Sequence, residues 1–241
     1  MEFFSLTDIG LVREKNQDSY MTVYNDYNDF FALVCDGIGG NKAGEVASGE
    51  AIKYALESFN NSGPFADDEG VKKYLRNLLK GINEHIYKLS NAYYQYRGMG
   101  TTATGLLITS QGSYCINIGD SRVYGFKNNK IFRLTEDHTL VNELLKNGEI
   151  SYEESLNHPK KHYLMKAVGI WEEVSGDIFK VPPMDYYLVC SDGLHGYVSE
   201  EDILKIVNND GLNILQKCKE LMQKALMNGG YDNITLVLVK R

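Results

Sequence analysis

A chain of 241 residues with 43% hydrophobic side chains can bury one large core or two small ones, and no linker divides it, so one domain over 1–241 is expected. A formal charge of −7 argues against a nucleic-acid groove, which needs clustered Lys and Arg to neutralise phosphates. The opening MEFFSLTDIG lacks the basic start and long apolar run of a secretion signal, and no stretch approaches the ~18 apolar residues of a membrane span, so an acidic, cytoplasmic protein is expected.

In chain order, EFFSLT, SYMTVY and FFALVC are short, rich in aromatic and β-branched residues and bounded by turn residues, which predicts three strands. The period then changes. From Ala43 to Phe59 an apolar stripe of Val46, Ala47, Ala51, Tyr54 and Ala55 predicts a helix, and Val71 to Tyr96 can carry a second. The segment NSGPFADDEG (Asn61–Gly70) between them reads as a surface loop. A second block of strands follows in TTATGLLIT, GSYCINI, SRVYGF and KIFRLT, with KNN at a hairpin turn. TLVNELLKNGEI has helical spacing stopped by Gly148, and a stretch rich in Lys and His runs irregularly to Lys166. YYLVCS returns as a strand, EEDILKIVN and LNILQKCKELMQKALM as helices, and NITLVLV as a last strand. Blocks of strands followed by helix pairs predict an α+β layered sandwich with antiparallel sheets. The cysteines, Cys35, Cys115, Cys190 and Cys218, lie far apart with no CxxC pair, and read as small buried core residues.

The stretch LVCDGIGGNKAGE (Leu33–Glu45) poses the chemical question. Gly39 and Gly44 have P-loop spacing, but Glu45 and Val46 stand where Lys and Ser or Thr are needed, and Lys42 replaces the third glycine of a dinucleotide fingerprint. A plain hairpin turn would explain one Asp-Gly pair. The same grammar recurs in LVCSDGL (Leu188–Leu194), again with a helix expected next, and two more aspartates, Asp120 and Asp232, sit at strand margins. Converging carboxylates are costly unless a cation neutralises them, and all-oxygen ligation suits Mg²⁺ or Mn²⁺. Strand-end aspartates are equally ordinary turn residues, and the sequence does not show that the four converge.

The ordered set TDIGLVREKNQDSY, VCDGIGGNKAGEVAS, MGTTATGLLI, NIGDSRVYGF, LTEDHTLVNELLKNGEIS, VCSDGLHGYVS and GGYDNITLVLV resembles the metal-dependent PP2C-type (PPM) protein serine/threonine phosphatases, especially their compact bacterial members. The resemblance implies a four-layer αββα sandwich with metals in a cleft at one end. It implies that Asp36 bridges two Mn²⁺ or Mg²⁺ ions, that the Gly37 carbonyl binds one of them, and that Asp192 and Asp232 complete the other. Asp120 matches the aspartate that holds a third, weaker ion with Asp192. Asp18 would orient metal-bound water and Arg13 would hold the substrate phosphate, for which its planar fork is suited. The implied reaction is direct attack of a metal-bridging hydroxide on phosphoserine or phosphothreonine in proteins, reversing a serine/threonine kinase. A cysteine mechanism needs Arg in a C-x5-R frame, where Cys35, Cys115 and Cys190 meet Asn41, Ser121 and Gly196.

The chain departs from the family where relatives place a histidine: Ile38 and Asn41 stand there, which leaves a metal-bound water, another group entering the site, or slow turnover. His138, His158, His162 and His195 are weighed as suppliers and none is assigned to catalysis, since a lone His is more often structural. The segment from about 139 to 166 matches the family's flap, with HPKKHY where relatives often carry Arg and Asn. Thr101 and Thr102 match a family motif, but strand-start threonines are adequately explained by fold. The implied partners are phosphorylated proteins and a cognate serine/threonine kinase, with no nucleic acid, no membrane and a monomeric chain. Two alternatives are a metal-free binding module and a phosphatase of an anti-sigma-factor antagonist. Intact Asp36, Asp192 and Asp232 favour the enzyme.

Overall fold

The run FFALVC is apolar at every position because both of its faces are covered. In a computed structural model, which describes residues 1–38 and 43–241, it lies in strand β3 (Phe30–Ile38). Phe31, Leu33 and Cys35 point to one side and Phe30, Ala32 and Val34 to the other, as the two-residue period of a strand requires. The first set meets the helices α1 (Gly44–Asn60) and α2 (Asp68–Ala92), and the second meets another sheet.

That first sheet runs in the order β2 (Asp18–Tyr24), β3, β5 (Ala103–Thr109), β6 (Gly112–Ile118) and β9 (Asp177–Val181), with β4 (Gly100–Thr101) paired to the end of β3. The second sheet runs β1 (Glu2–Asp8), β11 (Ile234–Lys240), β10 (Tyr186–Cys190), β7 (Arg122–Lys127) and β8 (Lys130–Arg133). All these pairings are antiparallel. Val189, Val237 and Val239 face the first sheet, while Leu188, Cys190, Leu236 and Leu238 face α6 (Glu200–Val207) and α7 (Ile214–Met227). The result is the expected order of layers: helices, sheet, sheet, helices. The four cysteines are buried thiols with no disulfide.

Each helix is set by its apolar stripe and its caps. On α2 the stripe Val71, Leu75, Leu78, Leu79, Ile82 and Ile86 is buried, and the Asp67 carboxylate accepts the Gly70 N–H at the first turn. Asn213 and Gln216 form a reciprocal capping box on α7. The predicted hairpin after β7 turns on Asn128 and Asn129, both at positive φ (51° and 57°), as a type I′ turn demands.

Three local expectations are corrected. The strand TTATGLLIT breaks at Thr102, whose backbone N–H turns to the Asp36 carbonyl instead. The strand β9 and the short helix α4 (Tyr152–Leu156) were not foreseen. β9 is a half-buried edge strand held by its ladder to β6, which no local pattern announces. By contrast, the Ser151–Glu154 capping box that starts α4 was legible as S-x-x-E. Between β8 and β9 the predicted helix forms as α3 (Leu140–Lys146), and the Thr139 hydroxyl caps it by accepting the Asn142 N–H.

Candidate metal centre

Strands deliver carboxylates to one end of both sheets. Asp36 lies two residues before the end of β3, directly opposite Asp18, which opens β2, so two carboxyls begin as cross-strand neighbours. Asp192 follows the end of β10 and opens the short helix α5 (Asp192–His195). Asp232 precedes β11, and Asp120 sits in the turn between β6 and β7. Asp36, Gly37, Asp120, Asp192 and Asp232 line one cleft of about 500 Å³ together with Arg13. A larger hollow of about 780 Å³ between α2 and residues 172–175 holds none of these residues, and its Glu84, Glu172 and Glu173 are accompanied by Lys80 and Lys88. Of the sequence-predicted site residues, only Asp18 is set back from the cleft wall, behind Asp36 and nearly fully buried.

Ser191 ties the two sheets together at this point. Its hydroxyl donates to Asp18 Oδ2 at 2.7 Å and accepts the Thr235 N–H at 2.9 Å. Asn233 does the same for the loop that carries Arg13. Its Oδ1 accepts the Gln17 N–H, and its Nδ2 donates to the Ile9 and Lys15 carbonyls, each near 2.9 Å. Thr101 and Thr102, which the sequence explained by fold, brace Asp36. The Thr102 hydroxyl accepts the Asp36 N–H at 2.9 Å, and the Thr101 hydroxyl donates to the Asp36 carbonyl at 2.9 Å. Neither Ser191 nor Asn233 was singled out by the sequence, because their partners lie 44 to 224 residues away.

The repeated Asp-Gly grammar has a steric cause. A Cβ on Gly37 would strike the Gly44 carbonyl, and one on Gly193 would land on the Asn233 carbonyl oxygen. In both places another backbone passes where a side chain would stand. Gly193→Ala is therefore expected to destabilise the fold by roughly 2–3 kcal/mol, read as a lowered urea midpoint.

Burial and mutual repulsion dominate the electrostatics. Burial first, then the charges of Asp18, Asp192, Asp120 and Asp232, hold the Asp36 carboxyl well above the ordinary range. Burial, then Asp120 and Asp232, do the same to Asp192. Asp120 is pushed up to about 7 by burial and the charge of Asp137, and Asp18 up to about 6, chiefly by burial. Opposing four carboxylates on the cleft wall are the guanidinium of Arg13 and the imidazole of His162. Burial and Lys161 lower the His162 pKa, and its Nδ1 stands 3.7 Å from Asp192 Oδ2. Arg13 donates to Asp232 Oδ2 at 2.7 Å, a half-exposed pair worth ~0–1 kcal/mol. Asp18 Oδ1 and Asp192 Oδ1 are buried with no hydrogen-bond partner. As placed, no three acid, imidazole or thiol groups among the described residues close on one point to hold an ion.

Of the histidines weighed as proton donors, only His162 reaches the cleft. His195 is lowered to about 3 by burial, so it is neutral, and its ring lies 2.9 Å from the Asp120 carbonyl, to which Nε2–H donates. His138 accepts the Gly119 N–H and lies 3.1 Å from Asp177, both structural contacts. His158 caps a local turn through the Lys160 N–H. Ile38 lines the cleft, and Asn41 lies outside the described residues.

Asp137 anchors the β7–β8 hairpin beside Asp120. It takes a two-pronged contact from Arg122 (2.9 and 2.7 Å) and a second guanidinium from Arg133 at 2.6 Å. Burial alone would raise its pKa, but the two arginines outweigh burial and hold it below the usual carboxylate range. Asp137→Asn leaves Arg122 buried without its counter-charge and is expected to cost about 3 kcal/mol in chemical denaturation.

Two antiparallel sheets between helical layers, with a carboxylate cleft at one end, define the architecture of the protein phosphatase 2C enzymes. The chain belongs to that family, whose description "Protein phosphatase 2C" matches residues 12–228. It is 38% identical over 240 residues to the serine/threonine phosphatase stp of Listeria welshimeri, covering 98% of this chain and 94% of that one. It is 35% identical over 241 residues to the protein phosphatase PhpP of Streptococcus pneumoniae, covering 99% and 97%. Among solved structures, the serine/threonine phosphatase Stp1 of Staphylococcus aureus superposes with a TM-score of 0.94 at 35% identity over 100% of this chain and 94% of that one. The chain is thus a PP2C-type serine/threonine protein phosphatase.

Proposed function

We propose that this phosphatase hydrolyses phosphoserine and phosphothreonine in one step, without a covalent phosphoenzyme, and reverses the action of a serine/threonine kinase. Two Mn²⁺ or Mg²⁺ ions would be held by Asp36, the Gly37 carbonyl, Asp192 and Asp232, and a third, weaker ion by Asp120 with Asp192. The observation that carries this is the charge imbalance of the cleft, four carboxylates against one guanidinium. The family is metal-dependent in general, and the donor set here is all oxygen, including a buried Asp192 oxygen with no protein partner. Holding the ions would require Asp232 to leave Arg13 and the carboxylates to turn toward each other.

When bound, the ions make a nucleophile from water near neutral pH and neutralise phosphoryl oxygens. The protein's own groups do the rest. Arg13, released from Asp232, presents two parallel N–H donors to the phosphate. Asp18, fixed through Oδ2 by Ser191 and set behind Asp36, would help to orient the attacking water from outside the cleft wall. Ile38 has no proton to give, which leaves His162 on the cleft wall and solvent as the groups that could protonate the departing serine or threonine oxygen. The cysteines do not compete, since burial pushes all four thiols up, away from the thiolate.

The shared apolar interior of the two sheets supports reading 1–241 as one domain. His162 and Leu164 on the cleft wall support residues 139–166 as a flap that influences substrate choice. No helix among the described residues is long and apolar enough to cross a membrane. The reading includes a monomer acting on phosphoproteins in the cytoplasm. Phosphate release from a phosphothreonine peptide by metal-stripped protein, before and after adding Mn²⁺, tests the mechanism. Restoration by the ion is expected, and release that is equally fast without it would overturn the metal assignment.

A further inference from the structure

The surface beside the mouth of the cleft is apolar. Leu11, Val12, Met227 and Tyr231 are 70%, 59%, 75% and 55% exposed. Met227 ends α7, and the other three come from two loops that are joined at the backbone: the Leu11 N–H donates to the Gly230 carbonyl at 2.7 Å, and Gly230 packs against the Leu11 side chain. Single exposed apolar side chains need no explanation. Leu11, Val12 and Tyr231 belong to two touching loops, and Tyr231 also lines the cleft, its ring 5.6 Å from that of Tyr197. Val12 immediately precedes Arg13, the group assigned to the substrate phosphate.

We propose that Leu11, Val12 and Tyr231 form a shelf for the residues flanking the phosphorylated serine or threonine. The enzyme then selects protein segments with a bulky aliphatic or aromatic side chain within about four residues of the phosphoresidue. This rests on the phosphatase reading above and names the substrate class of that same site. Reach is adequate, because an extended chain advances ~3.3–3.6 Å per residue, so a segment whose phosphate sits at Arg13 lays its near neighbours along the loop that carries Arg13. Charge favours an apolar contact too. The protein is acidic overall (−7), so beyond the ions and Arg13 that would hold the phosphate itself, long-range attraction for an acidic phosphorylated segment is weak, and an apolar contact to its flanking residues adds affinity that does not depend on charge.

The test compares kcat/KM, with Mn²⁺ present, for phosphothreonine peptides carrying Leu, Phe or Ser at each of the four positions either side, and for p-nitrophenyl phosphate, which is too small to reach the shelf. Wild-type protein is expected to favour the apolar-flanked peptides by about tenfold, the scale of one partly buried aliphatic contact. Leu11→Ser and Val12→Ser are expected to erase that preference through KM and to leave p-nitrophenyl phosphate hydrolysis unchanged. Equal rates on all peptides would overturn the shelf, as would variants that slow p-nitrophenyl phosphate as much as peptides. So would a dimer in light scattering that Leu11→Ser dissociates with peptide preference intact, because the shelf would then serve a second copy of the chain. Turnover of no phosphate ester at all would instead overturn the phosphatase reading on which the shelf depends.

Discussion

Asp192→Ala is expected to lower kcat/KM on a phosphothreonine peptide by at least about 10³-fold while the protein stays folded. The two halves of that expectation have one cause. Asp192 Oδ1 is buried without a hydrogen-bond partner, so truncation removes no protein contact made by that oxygen. The backbone at this place is held by other groups: the Gly196 N–H bonds the Asp192 carbonyl, and Ser191 keeps its ladder to Thr235. What would be lost is one donor of the proposed metal set, which would gather positive charge against a phosphate dianion. Phosphate release and denaturant midpoint, measured on the same preparations, separate the two. Activity within tenfold of wild type would remove Asp192 from the metal set, and an unfolded variant would show that its carboxylate is structural.

The second large effect is on stability without metal. Asp18 titrates near 6 and Asp120 near 7 in the folded chain, each raised from 3.8 by burial first of all. Between about pH 4 and pH 7 these carboxyls hold protons in the folded state that they release on unfolding. The folded state therefore binds more protons, and stability falls as pH rises through that window. The rise at Asp18 alone corresponds to about 3 kcal/mol at ~1.36 kcal/mol per pH unit. Metal-stripped protein should accordingly melt at a lower temperature at pH 8 than at pH 5.5. Saturating Mn²⁺ should flatten the slope, adding about 2.7 kcal/mol at a hundredfold excess over Kd. Asp36→Asn should raise the melting temperature of the metal-free form at pH 8, since a neutral amide replaces a carboxylate held well above its range by burial and four like charges. A melting temperature of metal-free protein that climbs from pH 5.5 to 8 would show that the carboxylates do not repel one another as placed.

Which chemistry the chain carries was legible where residue type and order suffice. The doubled Cys-x₀₋₁-Asp-Gly ending of an apolar strand marked Asp36 and Asp192, and both now stand on one cleft wall with Asp120 and Asp232. The braces were not legible. Thr101, Thr102, Ser191 and Asn233 act through hydrogen bonds to residues far off in sequence, and a hydroxyl or amide at a strand end looks the same whether or not it holds part of the cleft. The edge strand β9 escaped for a related reason: Asp177–Val181 is half-buried and held by pairing to β6, a long-range term that no window of neighbouring residues contains.

By itself the sequence determined the α+β class, the strand and helix blocks, the burial of the cysteines and the identity of the acids, because each follows from local periodicity, turn chemistry or motif order. Only the tertiary structure decided that Asp18 stands behind Asp36 on Ser191, that Arg13 rests on Asp232, and that His162 alone of the histidines weighed as proton donors reaches the cleft. It also decided why the two Asp-Gly glycines are glycines, since the backbones that exclude a Cβ there are those of Gly44 and Asn233. The reason is the same in each case. Burial, repulsion and close approach depend on distances through space, and these exist only once the sheets have stacked.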